Sequence, residues 1–350
     1  MSRRGLLRAG AAVATGVAAG GVVGGLPAAA ETAKHPKPVR PKALKPGDRV
    51  RVVATGRTPD SRLTRGIEIL TGLGLVVEVA DHVWDVVGYF AGTDADRLAD
   101  LNAAFRDPGI RGVFAARGGY GTQRITDQLD QARTFPDLAA VRRDPKVFVG
   151  YSDLTSLHGR LWRGAGLSSF YGPMVNWSDS RTGAASIESL RRAVMTTDPV
   201  VLTVDPAEPS AAVRVDGTAS GLLLGGNLTM LDTGFGTGDF PDLKGAILLF
   251  EDVDEGPYSY DRMLNHLRRT GALSRLAGIA LGQFTNAVGD PGEWDAAAAV
   301  RDRIGDLGVP VLGGLRLGHG PGQRTVPRGG PATIDTVAGT LTVESGVTGA

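Results

Sequence analysis

From Gly47 onward the sequence alternates short β-branched runs with amphipathic stretches, and this alternation constrains the fold more than any other feature. Arg49 to Thr55, Leu75 to Ala80, Gly112 to Arg117 and Lys146 to Tyr151 read as strands. Between them, Asp60 to Leu73, Asp94 to Asp107 and Thr122 to Gln131 repeat apolar residues at helical spacing, with Asp or Thr near their starts as caps. Strands linked by helices run parallel, and a parallel sheet must be covered on both faces. The first half is therefore expected to be a layered α/β domain.

The signal weakens between Gly172 and about Val215, where Trp177 to Ser186 is polar, Ile187 to Met195 reads as a short helix and Val200 to Asp205 as a short strand. We read this as a domain connection. Regular elements resume at Ala219 to Leu224, Ala246 to Glu251, Tyr260 to Thr270, Gly278 to Phe284 and Trp294 to Leu307, and the tail from Val309 is β-rich with Gly and Pro turns. The expected division is a signal over 1–30, a linker over 31–45, a first domain over 46–172, a connection over 173–215 and a second domain over 216–350.

The first thirty residues do not belong to that core. Arg3-Arg4 precedes a weakly hydrophobic Gly- and Ala-rich run to about Leu26, followed by Ala28-Ala29-Ala30. A twin-arginine pair, such a run and a small-residue cleavage site describe a Tat-type bacterial export signal, with a retained membrane anchor as the alternative. Cleavage would leave no membrane span and an extracellular or wall-associated protein. The net charge is +1, and removing Arg3, Arg4 and Arg8 leaves −2, so bulk electrostatics favour no nucleic-acid partner. The absence of cysteine excludes thiol nucleophiles, thiolate metal sites and disulfides.

Several residues could carry chemistry. Val147-Phe148-Val149-Gly150-Tyr151-Ser152 is an apolar strand running into a serine and then a helix to about Gly164. A serine at a sharp strand-to-helix turn is exposed above the sheet beside free helical N–H groups, which suits a nucleophile; an N-cap serine without catalytic role is the alternative. A serine needs a base, and there are five histidines. His35 lies in the linker, His82 follows an early strand, His158 lies on the helix after Ser152 and points away from it, and His266 looks like a surface position. His319 follows an expected strand, Val309 to Leu317, and stands between Gly318 and Gly320, where small neighbours leave an imidazole accessible; an ordinary loop histidine is the alternative. Glu251 ends the apolar strand Gly245 to Phe250, so its carboxylate is expected to be partly buried and to need a partner such as an imidazolium. Asp252, Asp254 and Glu255 could instead hold a metal, but no ligand spacing supports one, and no metal or other cofactor is expected. Gly118-Gly119-Tyr120-Gly121 and Gly225-Gly226-Asn227 do not match a nucleotide-binding pattern; the first could supply oxyanion N–H groups or be a tight turn.

Taken in order, Arg117-Gly118-Gly119-Tyr120-Gly121, Gly150-Tyr151-Ser152-Asp153, Gly225-Gly226-Asn227-Leu228, Phe250-Glu251-Asp252-Val253 with Pro257-Tyr258, and Gly318-His319 resemble the muramoyltetrapeptide LD-carboxypeptidases, a serine peptidase family, from about Leu44 to Ser345. The resemblance implies a flavodoxin-like N-terminal domain similar to class I amidotransferases, a smaller β-rich α/β C-terminal domain and a site in the groove between them. It assigns Ser152, Glu251 and His319 as a triad. The expected oxyanion donors are the amides of Gly119 and Asp153, with Arg117, Gly118, Asn227 and Tyr258 as substrate contacts. The implied reaction is hydrolysis of the L,D bond before the terminal D-alanine of a peptidoglycan tetrapeptide. The expected partner is thus a peptidoglycan-derived peptide, with a homodimer left open. The alternatives are a relative of the microcin C self-immunity peptidases, acting on peptidyl or aminoacyl nucleotides, and an idle wall-binding homologue. Two features depart from the family: Ala54-Thr55-Gly56 replaces an Ala-Pro-Ser-like turn, and an export signal precedes an enzyme type that is commonly cytoplasmic.

Overall fold

The β-branched runs of the first half form strands β1 (Arg49–Val53), β2 (Val76–Val79), β3 (Ile110–Ala115), β4 (Val147–Gly150) and β5 (Ser169–Tyr171). All pair in parallel in the order β2-β1-β3-β4-β5, the flavodoxin-like order. This computed structural model describes residues 35–126 and 138–349. The expected export signal, the first part of the linker and the far part of the expected helix over 122–131 lie outside the described residues.

Helices α1 (Arg62–Gly72), α2 (Asp94–Arg106), α3 (Thr122–Thr126), α4 (Leu138–Arg143), α5 (Thr155–Ala165) and α6 (Ala184–Met195) accompany this sheet. Helix α2 starts where the sequence places its cap: the Thr93 hydroxyl accepts from the Asp96 amide while the Asp96 carboxylate accepts from the Thr93 amide. Leu63, Leu70, Leu98, Leu101, Leu157, Leu161 and Val194 pack against Val52, Val113, Phe148 and Val149 in one core.

The second sheet has eight strands in the order β6-β14-β13-β8-β9-β10-β11-β7. They are β6 (Val200–Thr203), β7 (Arg214–Val215), β8 (Thr218–Asn227), β9 (Ala246–Val253), β10 (Gly278–Thr285), β11 (Val311–Leu312), β13 (Pro331–Asp335) and β14 (Thr340–Val343). Its centre, β8 to β11, is parallel, and its flanks are antiparallel. Strand β9 is buried on both faces, and its first five residues, Ala246 to Phe250, read as an unbroken apolar run. Leu248 and Phe250 join one core with helices α8 (Pro257–Arg269) and α9 (Ala296–Ile304), while Ile247 and Leu249 face a second core with Leu315, Leu341 and Val343. A short helix, α7 (Leu228–Gly234), follows β8.

Three features of the chain path differ from the sequence expectations. The connection over 173–215 supplies β6 and β7 to the second sheet. The strand expected over 309–317 is only β11, because Gly313-Gly314, with Gly314 at φ +87°, breaks it. Near the C-terminus the chain returns to the first sheet, where β12 (Val326–Arg328) pairs antiparallel with β5. Arg328, fully buried, donates to the carbonyls of Gly225 (2.8 Å) and His158 (2.9 Å), tying the two sheets together. Burial lowers its guanidinium to a pKa of about 9. Among the described residues, no helix is long and apolar enough to cross a membrane.

Candidate active site

The site begins where β4 ends. Gly150 and Tyr151 continue extended, and Ser152 then turns to φ +62°, one of only three non-glycine residues described with positive φ. The chain makes a single 3-10 turn, Ser152–Leu154, and enters α5. This places Ser152 above the C-terminal edge of a parallel sheet, half-buried, at the start of a helix. A left-handed backbone costs a serine about 1 kcal/mol relative to an unstrained position, so the surrounding packing must hold it there.

Tyr171, on the neighbouring strand β5, is part of that support. Its hydroxyl accepts from the Ser152 amide at 3.2 Å and donates to Glu251 Oε1 at 2.7 Å. Burial and the nearby Glu251 carboxylate push the Tyr171 phenol well above its usual range, so it remains a donor. One buried hydroxyl thus joins the turn of the first sheet to the carboxylate of the second.

Glu251 lies near the end of β9 and is fully buried. Oε1 takes the Tyr171 hydroxyl and, at 3.4 Å, Asn227 Nδ2; Oε2 lies 2.7 Å from His319 Nδ1. Gly318, at φ +127°, lets His319 come so close, since a Cβ there would stand 2.4 Å from Glu251 Oε2. The loop is fixed from behind by Gln283 of β10, whose Oε1 accepts from the Gly320 amide at 3.0 Å and whose Nε2 donates to the Pro321 carbonyl at 3.1 Å. The Tyr151 ring packs against His319 with centroids 4.7 Å apart.

Ser152 and His319 open onto the same cavity of about 380 Å³, with Arg62, Arg117, Gly118, Gly119, Arg181 and Asp254 also on its walls. A Cβ on Gly118 would lie 3.5 Å from Ser152 Cβ, so the glycine loop borders the serine directly. The Asp153 side chain faces the other way and accepts from the Thr122 amide and hydroxyl at 3.0 and 2.7 Å, holding that loop in place. Burial raises the Asp153 carboxyl.

The other expected contacts divide. Arg117 lines the cavity but donates to the Thr58 carbonyl at 3.2 Å and stands 3.8 Å from Asp60. Asn227 is buried away from the cavity: Oδ1 caps α7 at the Met230 amide, and Nδ2 donates to Asp252 at 2.7 Å. Tyr258 is 73% exposed on the first turn of α8, outside the cavity wall. Of the acidic run, Asp252 turns inward to Asn227 and Thr229, and Asp254 pairs with Asn286. Burial and Glu251 raise Asp252 to about 6. His158 is buried, with Nε2 against the Gly150 carbonyl and Nδ1 against Ser169 Oγ, and His266 pairs with Asp232. Sequence reasoning missed Tyr171, Gln283 and Arg181; the first two acquire their place through contacts distant along the chain, and Arg181 sits in a polar turn with no motif of its own.

Comparison with known proteins is consistent with this architecture. Residues 50–172 match the LD-carboxypeptidase N-terminal domain and residues 220–334 the LD-carboxypeptidase C-terminal domain. A Bacillus subtilis protein named "Probable murein peptide carboxypeptidase" is 36% identical over 88% of this chain and 95% of its own length. The crystal structure of a muramoyltetrapeptide carboxypeptidase from Oxalobacter formigenes superposes with a TM-score of 0.74 at 31% identity, covering 86% of this chain and all of that one. The wild-type microcin C7 self-immunity protein MccF shares the fold, with a TM-score of 0.78 at 21% identity over 88% of this chain and 98% of its own. The chain belongs to the LD-carboxypeptidase family and is a carboxypeptidase.

Proposed function

We propose that this protein hydrolyses the L,D bond before the terminal D-alanine of peptidoglycan tetrapeptides, with Ser152 as nucleophile, His319 as general base and Glu251 as the group that orients the histidine. The observation that carries this reading is the 2.7 Å pair between Glu251 Oε2 and His319 Nδ1, set on the cavity that Ser152 lines. A carboxylate at Nδ1 keeps the proton there and leaves Nε2 as the acceptor for the serine proton. Ser152 Oγ attacks the carbonyl of the L-centre, and His319 takes its proton and then passes it to the leaving amine of D-alanine. The Ser152 amide is engaged by Tyr171, which leaves the amides of Gly119 and Asp153 to stabilise the oxyanion. Water then releases the acyl group.

The test is mass-resolved turnover on defined muropeptides. L-Ala-D-Glu-diaminopimelyl-D-Ala should lose D-alanine, whereas the pentapeptide, ending in a D,D bond, should be cleaved weakly or not at all, and Ser152→Ala should be inactive on both. Equal rates on tetrapeptide and pentapeptide would refute the L,D assignment while leaving the triad standing. Thermal stabilisation by adenosine nucleotides would favour the microcin C type of activity, and absence of labelling of Ser152 by a serine-directed phosphonate would favour an idle wall-binding protein.

The reading extends to export, carried by Arg3-Arg4 and the site near Ala30. Replacing both arginines by lysine should retain the precursor inside the cell, because twin-arginine recognition reads guanidinium groups and not charge alone. Efficient export of that variant would rule out this route.

A further inference from the structure

The cavity beside Ser152 carries three guanidinium groups, and they are not equivalent. Arg62 is held by Asp60 through two side-chain hydrogen bonds, at 2.9 and 2.7 Å. Arg117 is spent on the Thr58 carbonyl and lies near the same carboxylate. The half-buried Arg181 guanidinium has no hydrogen-bond or ion-pair partner among the described residues. Its neighbour Asp179 pairs with Arg65 instead.

The backbone that carries Arg181 is nonetheless fixed. The Arg181 and Thr182 amides both donate to the Ser178 carbonyl, at 3.0 and 2.7 Å, as does the Thr182 hydroxyl at 2.6 Å. Trp177 Nε1 closes the turn onto the Thr182 carbonyl at 2.6 Å, and the Arg181 carbonyl accepts from the Gly322 amide of the His319 loop at 2.8 Å. A cation on a turn braced in this way, facing a cavity and paired with no carboxylate among the described residues, is prepared for an anion from outside. Its charge also reaches Tyr151, the residue before Ser152, where it opposes the rise that burial imposes on the phenol.

We propose that Arg181 binds the free carboxylate of the residue released by hydrolysis, and so makes this site select chain ends over internal bonds. The inference rests on the peptidase reading above. A peptide of this class offers two kinds of carboxylate near the scissile bond: the terminal one of the leaving residue and one on the diamino acid side chain. The terminal group is chosen because an exopeptidase must distinguish a chain end from a continuing chain, and a planar guanidinium meets a carboxylate through two parallel hydrogen bonds.

The experiment is a kinetic comparison of the wild type, Arg181→Ala and Arg181→Lys on three substrates: the free tetrapeptide, its C-terminal amide, and the peptide amidated only on the diaminopimelate side chain. On the free tetrapeptide, Arg181→Ala should lower kcat/KM by roughly tenfold to a hundredfold, and Arg181→Lys should recover part of that as a point charge. The wild type should lose a similar factor on the C-terminal amide, and Arg181→Ala should lose no more there. The side-chain amide should leave the Arg181→Ala deficit intact. The proposal is overturned if the deficit is absent, if it is equal on acid and C-terminal amide, or if it disappears on the side-chain amide.

Two controls separate this from failure of the peptidase reading. Phosphonate labelling of Ser152 should proceed alike in the wild type and Arg181→Ala. Calorimetric binding of the tetrapeptide and its C-terminal amide to Ser152→Ala protein, with and without Arg181→Ala, tests the contact without turnover. Binding that ignores Arg181 refutes the anchor; absent labelling and absent turnover with Arg181-dependent binding refute the peptidase reading alone.

Discussion

The two sheets bring their contributions to one cavity at different kinds of physical cost. The first sheet offers Ser152 on a turn with positive φ, so its cost lies in backbone conformation. The second offers Glu251 and His319, both outside the left-handed region but at 0% and 9% exposure, so its cost is desolvation. The same contrast separates the two buried histidines. His319 faces a carboxylate, whereas His158, on α5 beside the first sheet, has neutral partners at its ring nitrogens, Ser169 Oγ and the Gly150 carbonyl, and the charge of Arg328 nearby. In the proposed mechanism, strain would position the neutral serine, while burial beside a carboxylate would prepare the histidine. Tyr171 spans the two regimes.

The strongest way to break this contrast is to remove the charge in the second region while keeping its shape. In Glu251→Gln, Oε1 would still accept from Tyr171 while the new amide nitrogen would face His319 Nδ1 as a donor. The imidazole would have to move its proton to Nε2, the acceptor in the proposed mechanism. Turnover should fall roughly a hundredfold or more with the fold retained. Near-normal turnover measured on the tetrapeptide would show that Glu251 does not set the tautomer.

The first region has its own charge-state test. Burial, reinforced by Arg328, depresses the His158 imidazole to a pKa of about 3. An unfolded histidine binds its proton near pH 6.5, so between those values the unfolded state holds more protons than the folded one. Stability from this group is complete above about pH 6.5 and is lost as pH falls toward 3. Chemical denaturation of wild type and His158→Gln at pH 6.5 and pH 5 should show the wild type losing about 2 kcal/mol more than the variant over that interval. Parallel losses would mean that His158 takes up a proton while folded.

The link between the regions should give a smaller effect. Tyr171→Phe leaves the Ser152 amide and Glu251 Oε1 without their shared partner, with Asn227 Nδ2 at 3.4 Å as the remaining donor to that oxygen. Turnover should fall about tenfold, with a change in the pH profile of kcat, since a lost donor alters the carboxylate that serves His319. A lower melting temperature with an unchanged pH profile would reduce Tyr171 to packing.

What the sequence disclosed follows from how local each signal is. Strands β1 to β4 and helices α1 and α2 were legible because β-branched runs and 3.6-residue periodicity are written in neighbouring residues. Ser152 stood out at a strand-to-helix junction, and Glu251 as a carboxylate ending an apolar run. His319 stood out by its place between two glycines after an expected strand, and the family resemblance assigned it a role, although that strand is broken at Gly313-Gly314. Tyr171, Arg181 and Arg328 were not legible. Tyr171 meets Glu251 across 80 positions and Arg328 meets His158 across 170, and periodicity within a window contains no such pairing. Asn227 was expected at the substrate alongside the family resemblance, yet the same position is the N-cap of α7, where its oxygen accepts from the Met230 amide and its amide nitrogen donates to Asp252.

The smallest effect would sharpen the strain side of the contrast. Ser152 sits at φ +62°, where a Cβ is crowded and glycine is not. Comparing Ser152→Ala with Ser152→Gly removes the hydroxyl from both, so only the Cβ distinguishes them. In ordinary extended or helical backbone, alanine is the more stable choice by about 0.5 to 1 kcal/mol, because glycine gives up more chain entropy on folding. At this turn the order should reverse, with Ser152→Gly about 1 kcal/mol more stable than Ser152→Ala by equilibrium denaturation. The same pair of substitutions at Ser169, on β5 of the same sheet, should show the usual order. If alanine is the more stable residue at both positions, Ser152 is not held in a strained conformation, and the two sheets do not differ in the kind of cost they bear.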